Sequence, residues 1–152
     1  MVKLTKKGRY ITMSKIAVVY WSGTGNTEAM AKAVLDGIKE NGGEGVMMTS
    51  AEFNSSMMDD FDAIAFGCPS MGAETLEDNE FEPMFNACES KLNGKKIGLF
   101  GSYGWGDGEW MRNWAEQCKN DGAVMPHDFV ICCQAPDADG VEMCKSLGKA
   151  LI

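Results

Sequence analysis

The sequence predicts an α/β fold in which helices cover both faces of a five-stranded parallel sheet, and three observations carry that prediction. Five short apolar runs alternate with segments of helical periodicity. The connections between them are long enough for crossovers, and the first run is continuous rather than alternating, as in a strand buried on both sides. With 152 residues, 45% hydrophobic and 24% charged, the chain has the length and apolar content of one domain with its own core.

The elements follow in order. Residues 16–21 (IAVVYW), β-branched and aromatic, read as the first strand, which ends in Ser22-Gly23. Over 27–41 the period becomes helical: Met30, Val34 and Ile38 recur every four residues beside Ala29, Ala33 and Gly37, and Asn41-Gly42-Gly43 ends the run. Residues 46–49 give a weak second strand and 61–67 (FDAIAFG) a clear third, closed by Cys68-Pro69, with a short polar stretch between them. After an acidic loop, 81–92 reads as a helix, 96–101 (KIGLFG) as the fourth strand, and 109–121 as a helix with Trp110, Trp114 and Cys118 on one face. Residues 129–133 form the fifth strand, and a helix from 137 to the end turns Val141, Cys144, Leu147 and Leu151 inward.

The net charge of -8 divides unevenly along the chain. Residues 1–15 carry Lys3, Lys6, Lys7, Arg9 and Lys15 and no acid, which leaves nine bases against 22 acids, a balance of -13, for residues 16–152. A field of that sign repels nucleic acid and anionic lipid and steers the chain toward basic partners. The basic leader, residues 1–14, is expected to be a solvated disordered tail outside a domain of residues 15–152. No run approaches the roughly 20 apolar residues that span a bilayer, and no secretory pattern precedes the first strand, so a cytoplasmic protein is expected.

Metal and nucleophile chemistry find little support. The six cysteines, at 68, 88, 118, 132, 133 and 144, show no Cys-x-x-Cys and no clustered ligand set, and are expected to be reduced and mostly buried. The single histidine, His127, sits in a polar turn, which supports neither a multi-histidine zinc site nor a Ser-His-Asp triad.

In an open parallel sheet the ligand lies beyond the carboxyl ends of the strands, so the loops there carry the chemistry. After the first strand comes Ser22-Gly23-Thr24-Gly25-Asn26-Thr27, then a helix. Glycines let backbone amides turn inward, the helix start adds orphan N–H groups, and three hydroxyls and an Asn add uncharged donors. This is an anion cradle without a cation. It lacks the lysine of a P-loop, and Glu28 stands where a dinucleotide fingerprint needs its third glycine. A phosphate monoester held without Lys or Arg suits a resident cofactor better than a transferred phosphoryl group.

The loop after the third strand, Cys68-Pro69-Ser70-Met71-Gly72-Ala73-Glu74-Thr75, runs on to Glu77, Asp78, Glu80 and Glu82. The loop after the fourth is Gly101-Ser102-Tyr103-Gly104-Trp105-Gly106-Asp107-Gly108. Trp105, between two glycines, has no periodic pattern to bury it, so a large ring is offered for stacking. A planar ring held between Met71 and Trp105, with a phosphate tail at residues 22–27, describes flavin mononucleotide, FMN.

The segments VVYWSGTGNTEAMA (18–31), FGCPSMG (66–72) and LFGSYGWGDGEWMR (99–112) resemble those of flavodoxins, specifically the short-chain flavodoxins of anaerobic bacteria, and the likeness covers residues 15–152. The resemblance implies a flavodoxin-like doubly wound three-layer α/β/α sandwich with strand order 2-1-3-4-5, and FMN as cofactor. Ser22, Gly23, Thr24, Gly25, Asn26 and Thr27 match the family's phosphate loop. Met71 and Trp105 match the residues that sandwich the isoalloxazine, and Glu74 the acid at its pyrimidine edge. Gly72 matches the residue whose peptide can flip toward the protonated N5 of the semiquinone. Ser102, Tyr103 and Gly104 match the backbone around the pyrimidine edge, and Ser70, Ala73, Gly106 and Asp107 complete the two ring loops. The chain departs from the pattern at Ala73, where relatives often carry a polar residue, and in Cys133-Gln134-Ala135-Pro136, which lacks an Asn often seen there.

The resulting expectation is a monomeric, non-enzymatic one-electron carrier that shuttles FMN between semiquinone and hydroquinone. Glu74, Glu77, Asp78, Asp107 and Glu109, with no Lys or Arg nearby, would disfavour an anionic reduced ring and so lower its potential. The same acids would dock on the basic rims of ferredoxin-type oxidoreductases, with neither nucleic acid nor membrane as partner. Two rivals are an FMN-dependent NAD(P)H:quinone reductase on the same fold, which needs a nicotinamide or quinone site over the ring, and an interaction module without flavin.

Overall fold

The computed structural model describes residues 2–4 and 10–152. The disordered leader expected over 1–14 falls partly on residues 1 and 5–9, which lie outside the described residues. Within it, Val2–Leu4 and Tyr10–Thr12 pair with each other as an antiparallel ribbon, a two-stranded sheet of their own. Val2, Tyr10, Ile11 and Thr12 favour extended backbone, a propensity that the count of basic residues hid.

The body alternates strand and helix throughout: β1 (Lys15–Tyr20), α1 (Asn26–Glu40), β2 (Glu44–Thr49), β3 (Ala63–Gly67), α2 (Phe81–Cys88), β4 (Lys96–Tyr103), α3 (Glu109–Asn120), β5 (Val130–Cys133) and α4 (Ala138–Ala150). All neighbouring strands of the main sheet are parallel, in the order β2-β1-β3-β4-β5. This is the expected 2-1-3-4-5 order. The order in which strands are added reverses between β1 and β3, so the loops leaving those two strands diverge and open a crevice at their carboxyl ends.

Successive side chains of a strand face opposite ways, and each strand therefore feeds two cores. Ala17, Val19, Ile64, Phe66, Ile97 and Leu99 pack with Phe81, Phe85, Trp110 and Trp114 of α2 and α3. On the other face Ile16, Val18, Ala63, Ala65 and Phe100 pack with Met30, Val34, Ile38, Cys144 and Leu147 of α1 and α4. The rings of Phe81 and Phe85 each meet Trp114 edge-on, at 5.4 and 5.5 Å between centroids, a favoured aromatic geometry. Helices α1 and α4 approach to backbone contact because glycines face each other's turns: a methyl added at Gly37 would sit 2.2 Å from the Lys145 carbonyl oxygen, and one at Gly148 2.3 Å from that of Val34.

Five of the six free cysteines are buried and Cys133 is exposed, as the spacing implied. Burial pushes the thiols of Cys68, Cys118 and Cys144 up to about 12, so they remain protonated and inert. Other elements also differ from the sequence reading. The fourth strand, expected over 96–101, runs to Tyr103, so Ser102 and Tyr103 lie in β4 and not in the loop after it. The polar stretch before β3 contains a 3-10 helix, Ser55–Asp60, whose Asn54 side chain accepts from the Ser56 amide. The helix expected over 81–92 is α at Phe81–Cys88 and tightens to 3-10 at Glu89–Lys91.

Candidate functional site

At the carboxyl end of β1 the chain turns through Ser22–Gly25 into α1. Gly25 takes φ +94, a left-handed conformation natural to glycine. The Ser22 hydroxyl accepts from the amides of Gly25 (3.0 Å) and Glu28 (3.3 Å), which fixes the loop from inside. Gly23, Thr24 and Gly25 are exposed above the first turn of α1, and Asn26 is half-buried. A helix N-terminus with free amides and exposed hydroxyls binds anions without needing a cationic side chain. Thr27, by contrast, is buried: its Oγ1 lies 2.8 Å from the Ser102 hydroxyl and accepts from the Ser102 amide at 3.3 Å. That pair ties the anion loop to the end of β4.

The loop after β3 is a tight hairpin. Met71 and Thr75 exchange backbone hydrogen bonds of 2.9 and 3.0 Å, and between them Gly72 and Glu74 take φ +50 and +54. Gly72 and Ala73 are exposed, and nothing lies within 4 Å of the Cβ position at Gly72. The Ser70 amide donates to the Ser102 carbonyl at 2.9 Å, and the buried Trp110 indole donates to the Cys68 carbonyl at 3.2 Å, so this hairpin is anchored to the end of β4 and to α3.

These loops enclose a cleft of about 250 Å³. Of the residues expected at the site, Gly23, Thr24, Asn26, Ser70, Met71, Ser102, Tyr103 and Gly104 line it. Ser22, Gly25 and Thr27 support its wall through the bonds above. Trp105 is 63% exposed and stands outside the cleft lining, as do Gly72, Ala73, Gly106 and Asp107. Three lining residues were missed from sequence: Trp21, Pro69 and Gln134. Trp21 reads as the last residue of a strand, yet its ring packs under Gly23. Gln134, in the loop that lacks the usual Asn, takes φ +62 and donates its amide to the Tyr103 carbonyl at 2.8 Å.

The electrostatics correct one expectation. Glu77 does not present its charge at the site: it is 6% exposed, and its carboxylate accepts from the amides of Asn79 (2.9 Å), Glu80 (2.7 Å) and Phe81 (2.9 Å) at the start of α2. Burial alone would push its pKa up, but those three amides together hold it below the usual carboxylate range. Nor is the neighbourhood free of cations, because Arg112 pairs with Asp107 at 3.0 Å and donates to its carbonyl at 2.9 Å. Glu74 is tucked beneath Gly106, where an added methyl would sit 2.2 Å from Oε1, and that oxygen is buried with no hydrogen-bond partner among the described residues. An unpartnered buried acceptor beside the ring loops suits a donor brought by a ligand.

Glu77 yields a stability prediction. Replacing it with Ala leaves three amides without an acceptor and is expected to lower the unfolding free energy by about 1–3 kcal/mol near neutral pH. Its folded pKa is depressed, so its contribution is full above the unfolded value and is lost as pH falls through the folded one. Urea unfolding of Glu77→Ala against the parent should therefore show a gap at neutral pH that closes in acid.

A family model described as Flavodoxin matches residues 18–148. The chain is 44% identical over 138 residues to the flavodoxin of Megasphaera elsdenii, covering 89% of this chain and 96% of that one. It is 41% identical over 134 residues to the flavodoxin of Clostridium beijerinckii, covering 88% and 96%. Among solved structures, that of the two-electron reduced M. elsdenii flavodoxin in solution superposes with a TM-score of 0.83 at 43% identity, covering 90% of this chain and 97% of that one.

Proposed function

Since this chain belongs to the flavodoxin family, whose members are electron-transfer proteins with FMN as cofactor rather than enzymes, we propose that it shuttles one electron at a time between the semiquinone and hydroquinone of bound FMN. The observation that carries this reading is the convergence of the amide-lined loop of residues 22–27 and the two ring loops on one cleft. The residues present fit the cofactor: the exposed loop Gly23 to Gly25 at the start of α1 for the phosphate, Met71 and Tyr103 on the cleft wall, and the orphaned Glu74 oxygen for a ring N–H. When bound, the flavin supplies a reversible one-electron couple.

The protein's part is to bind, orient and shield. Ser22 holds the loop amides in place, and the Thr27 and Ser102 pair keeps the phosphate loop in register with the ring loops. Gly72, left-handed and in open space, allows its peptide to turn and offer a carbonyl to a ring N–H. Trp105, exposed on its loop between Gly104 and Gly106, supplies the outer ring contact by folding inward.

The working unit is residues 15–152, acting as a cytoplasmic monomer. Among the described residues no helix is long and apolar enough to cross a membrane. Asp78, Glu80 and Glu109, all exposed, form the acidic edge that meets basic rims of oxidoreductases. Glu77 has no part in that edge, and Asp107 a reduced one. Electron transfer to a basic partner should slow by about tenfold as ionic strength rises from roughly 0.01 to 0.15 M and the Debye length shrinks from about 30 to 8 Å. Stopped-flow rates independent of salt would remove the acidic edge from the account, and steady-state NADPH oxidation with a quinone by the protein alone would favour a reductase.

A further inference from the structure

We propose that the pocket between the carboxyl ends of β1 and β2 is a second binding site, built for a primary alkylammonium group. It has a volume of about 310 Å³ and is lined by Tyr20, Trp21, Ser22, Glu28, Ser50 and Glu80, among others; Trp21 also lines the flavin cleft, and Ser22 stands behind the wall of that cleft. The site goes beyond the carrier function and does not depend on it.

Ser50 is the first observation. It is 4% exposed and its hydroxyl oxygen has no hydrogen-bond partner among the described residues, whereas its amide donates to the Tyr20 carbonyl at 2.8 Å and fixes the backbone there. A buried hydroxyl left unpaired carries a desolvation penalty with no return from folding. A ligand that donates a hydrogen bond removes that penalty.

Charge is the second, independent observation. Glu28 lines the pocket from the first turn of α1. Glu80 is steered to it by the Trp21 indole, which donates to Oε2 at 3.1 Å and leaves Oε1 without that bond. Glu52, held by the Thr49 amide and hydroxyl at 2.9 and 3.0 Å, sits on the adjoining turn. The Tyr20 phenol is pushed up by burial and then by the charges of Glu28 and Glu52, which places both fields at one point. Among the described residues none of these three acids takes part in an ion pair.

Shape decides the class of cation. A bare metal ion would fill a small part of about 310 Å³ and gain nothing from aromatic walls, and among the described residues no group of three or more His, Cys, Asp or Glu converges as a metal site. An alkylammonium head has three N–H donors to distribute among Ser50, Glu28 and Glu80, and its methylene stem lies along the Trp21 and Tyr20 rings. A lysine of a docked protein and a free aliphatic amine share that chemistry.

The test is an amide-resolved NMR titration of the FMN-loaded protein at constant ionic strength with n-butylammonium, with potassium as the charge control and Nα-acetyl-lysine-N-methylamide as the peptide form. Saturable shifts at Ser22, Thr49, Ser50 and Ala51 are expected with butylammonium and not with potassium. Binding should weaken about tenfold in Glu28→Gln, which removes a charge-assisted bond, and severalfold in Ser50→Ala. Saturation by the lysine derivative as well assigns the site to a partner's lysine, and saturation by butylammonium alone assigns it to a free amine. Non-saturating shifts, equal shifts from potassium, or affinity unchanged in Glu28→Gln would overturn the proposal. The readout involves no electron transfer, so its failure leaves the carrier function standing.

Discussion

Replacing Thr24 with Asp is expected to weaken FMN binding about a thousandfold while leaving riboflavin, which has no phosphate, within a few-fold of its parent affinity. Thr24 is exposed on the cleft wall, and its Oγ1 accepts from the Asn26 amide at 3.4 Å. An Asp carboxylate can accept the same bond, so the loop keeps its shape. What changes is the sign of the cradle. The residue range 22–27 contains no cation to offset the new charge, and two like unit charges about 4 Å apart repel by about 4 kcal/mol at an effective dielectric constant near 20. That corresponds to about three decades of affinity. Quenching of flavin fluorescence during reconstitution of the apoprotein gives both numbers. Equal losses for FMN and riboflavin would mean that the mutation damaged the fold, and no loss for either would mean that the phosphate lies elsewhere.

Ala73→Gly is expected to raise the first reduction potential of the bound flavin by roughly 40–90 mV. Turning the peptide between Gly72 and Ala73 changes ψ of the first residue and φ of the second. In the structure Ala73 is not among the residues with positive φ, and the turn would carry it there. A residue with a Cβ loses about 1–2 kcal/mol in that region relative to glycine. At about 59 mV per tenfold for one electron, relieving that penalty stabilises the state in which the Gly72 carbonyl faces the ring N–H. Because Ala73 is exposed, the substitution removes no packing. Spectroelectrochemical titration of both proteins measures the shift, and an unchanged or lowered first potential would show that the Gly72 peptide does not turn on reduction.

The sheet was legible because its central strands are continuous apolar runs, with β2 (EGVMMT) the weak one, and each helix repeats its apolar residues at spacing three or four. Met30, Val34 and Ile38 and then Trp110, Trp114 and Cys118 all reach the core as the periodicity required. The anion loop was legible for a different reason, since a Gly-x-Gly between a buried strand and a helix has few structural uses. What sequence could not show was direction. Glu77, in a run of acids, reads as one more surface charge, although an acid four residues ahead of the first buried helical residue, Phe81, is also placed to cap α2, as it does here. Thr27 reads as a phosphate ligand, yet its hydroxyl turns inward to Ser102, 75 residues away. Gln134 carried no local signal at all: its place at the cleft follows from β5 pairing with β4. The burial of Glu74 beneath Gly106 likewise depends on two loops meeting in space.

The most direct test of the carrier function is the visible spectrum of the purified, FMN-reconstituted protein during stepwise reduction with dithionite. One FMN per chain is expected, with a neutral blue semiquinone of long-wavelength absorbance that accumulates after the first electron and fades with the second. Bleaching in a single two-electron step, or a protein that remains colourless in the presence of FMN, would contradict it.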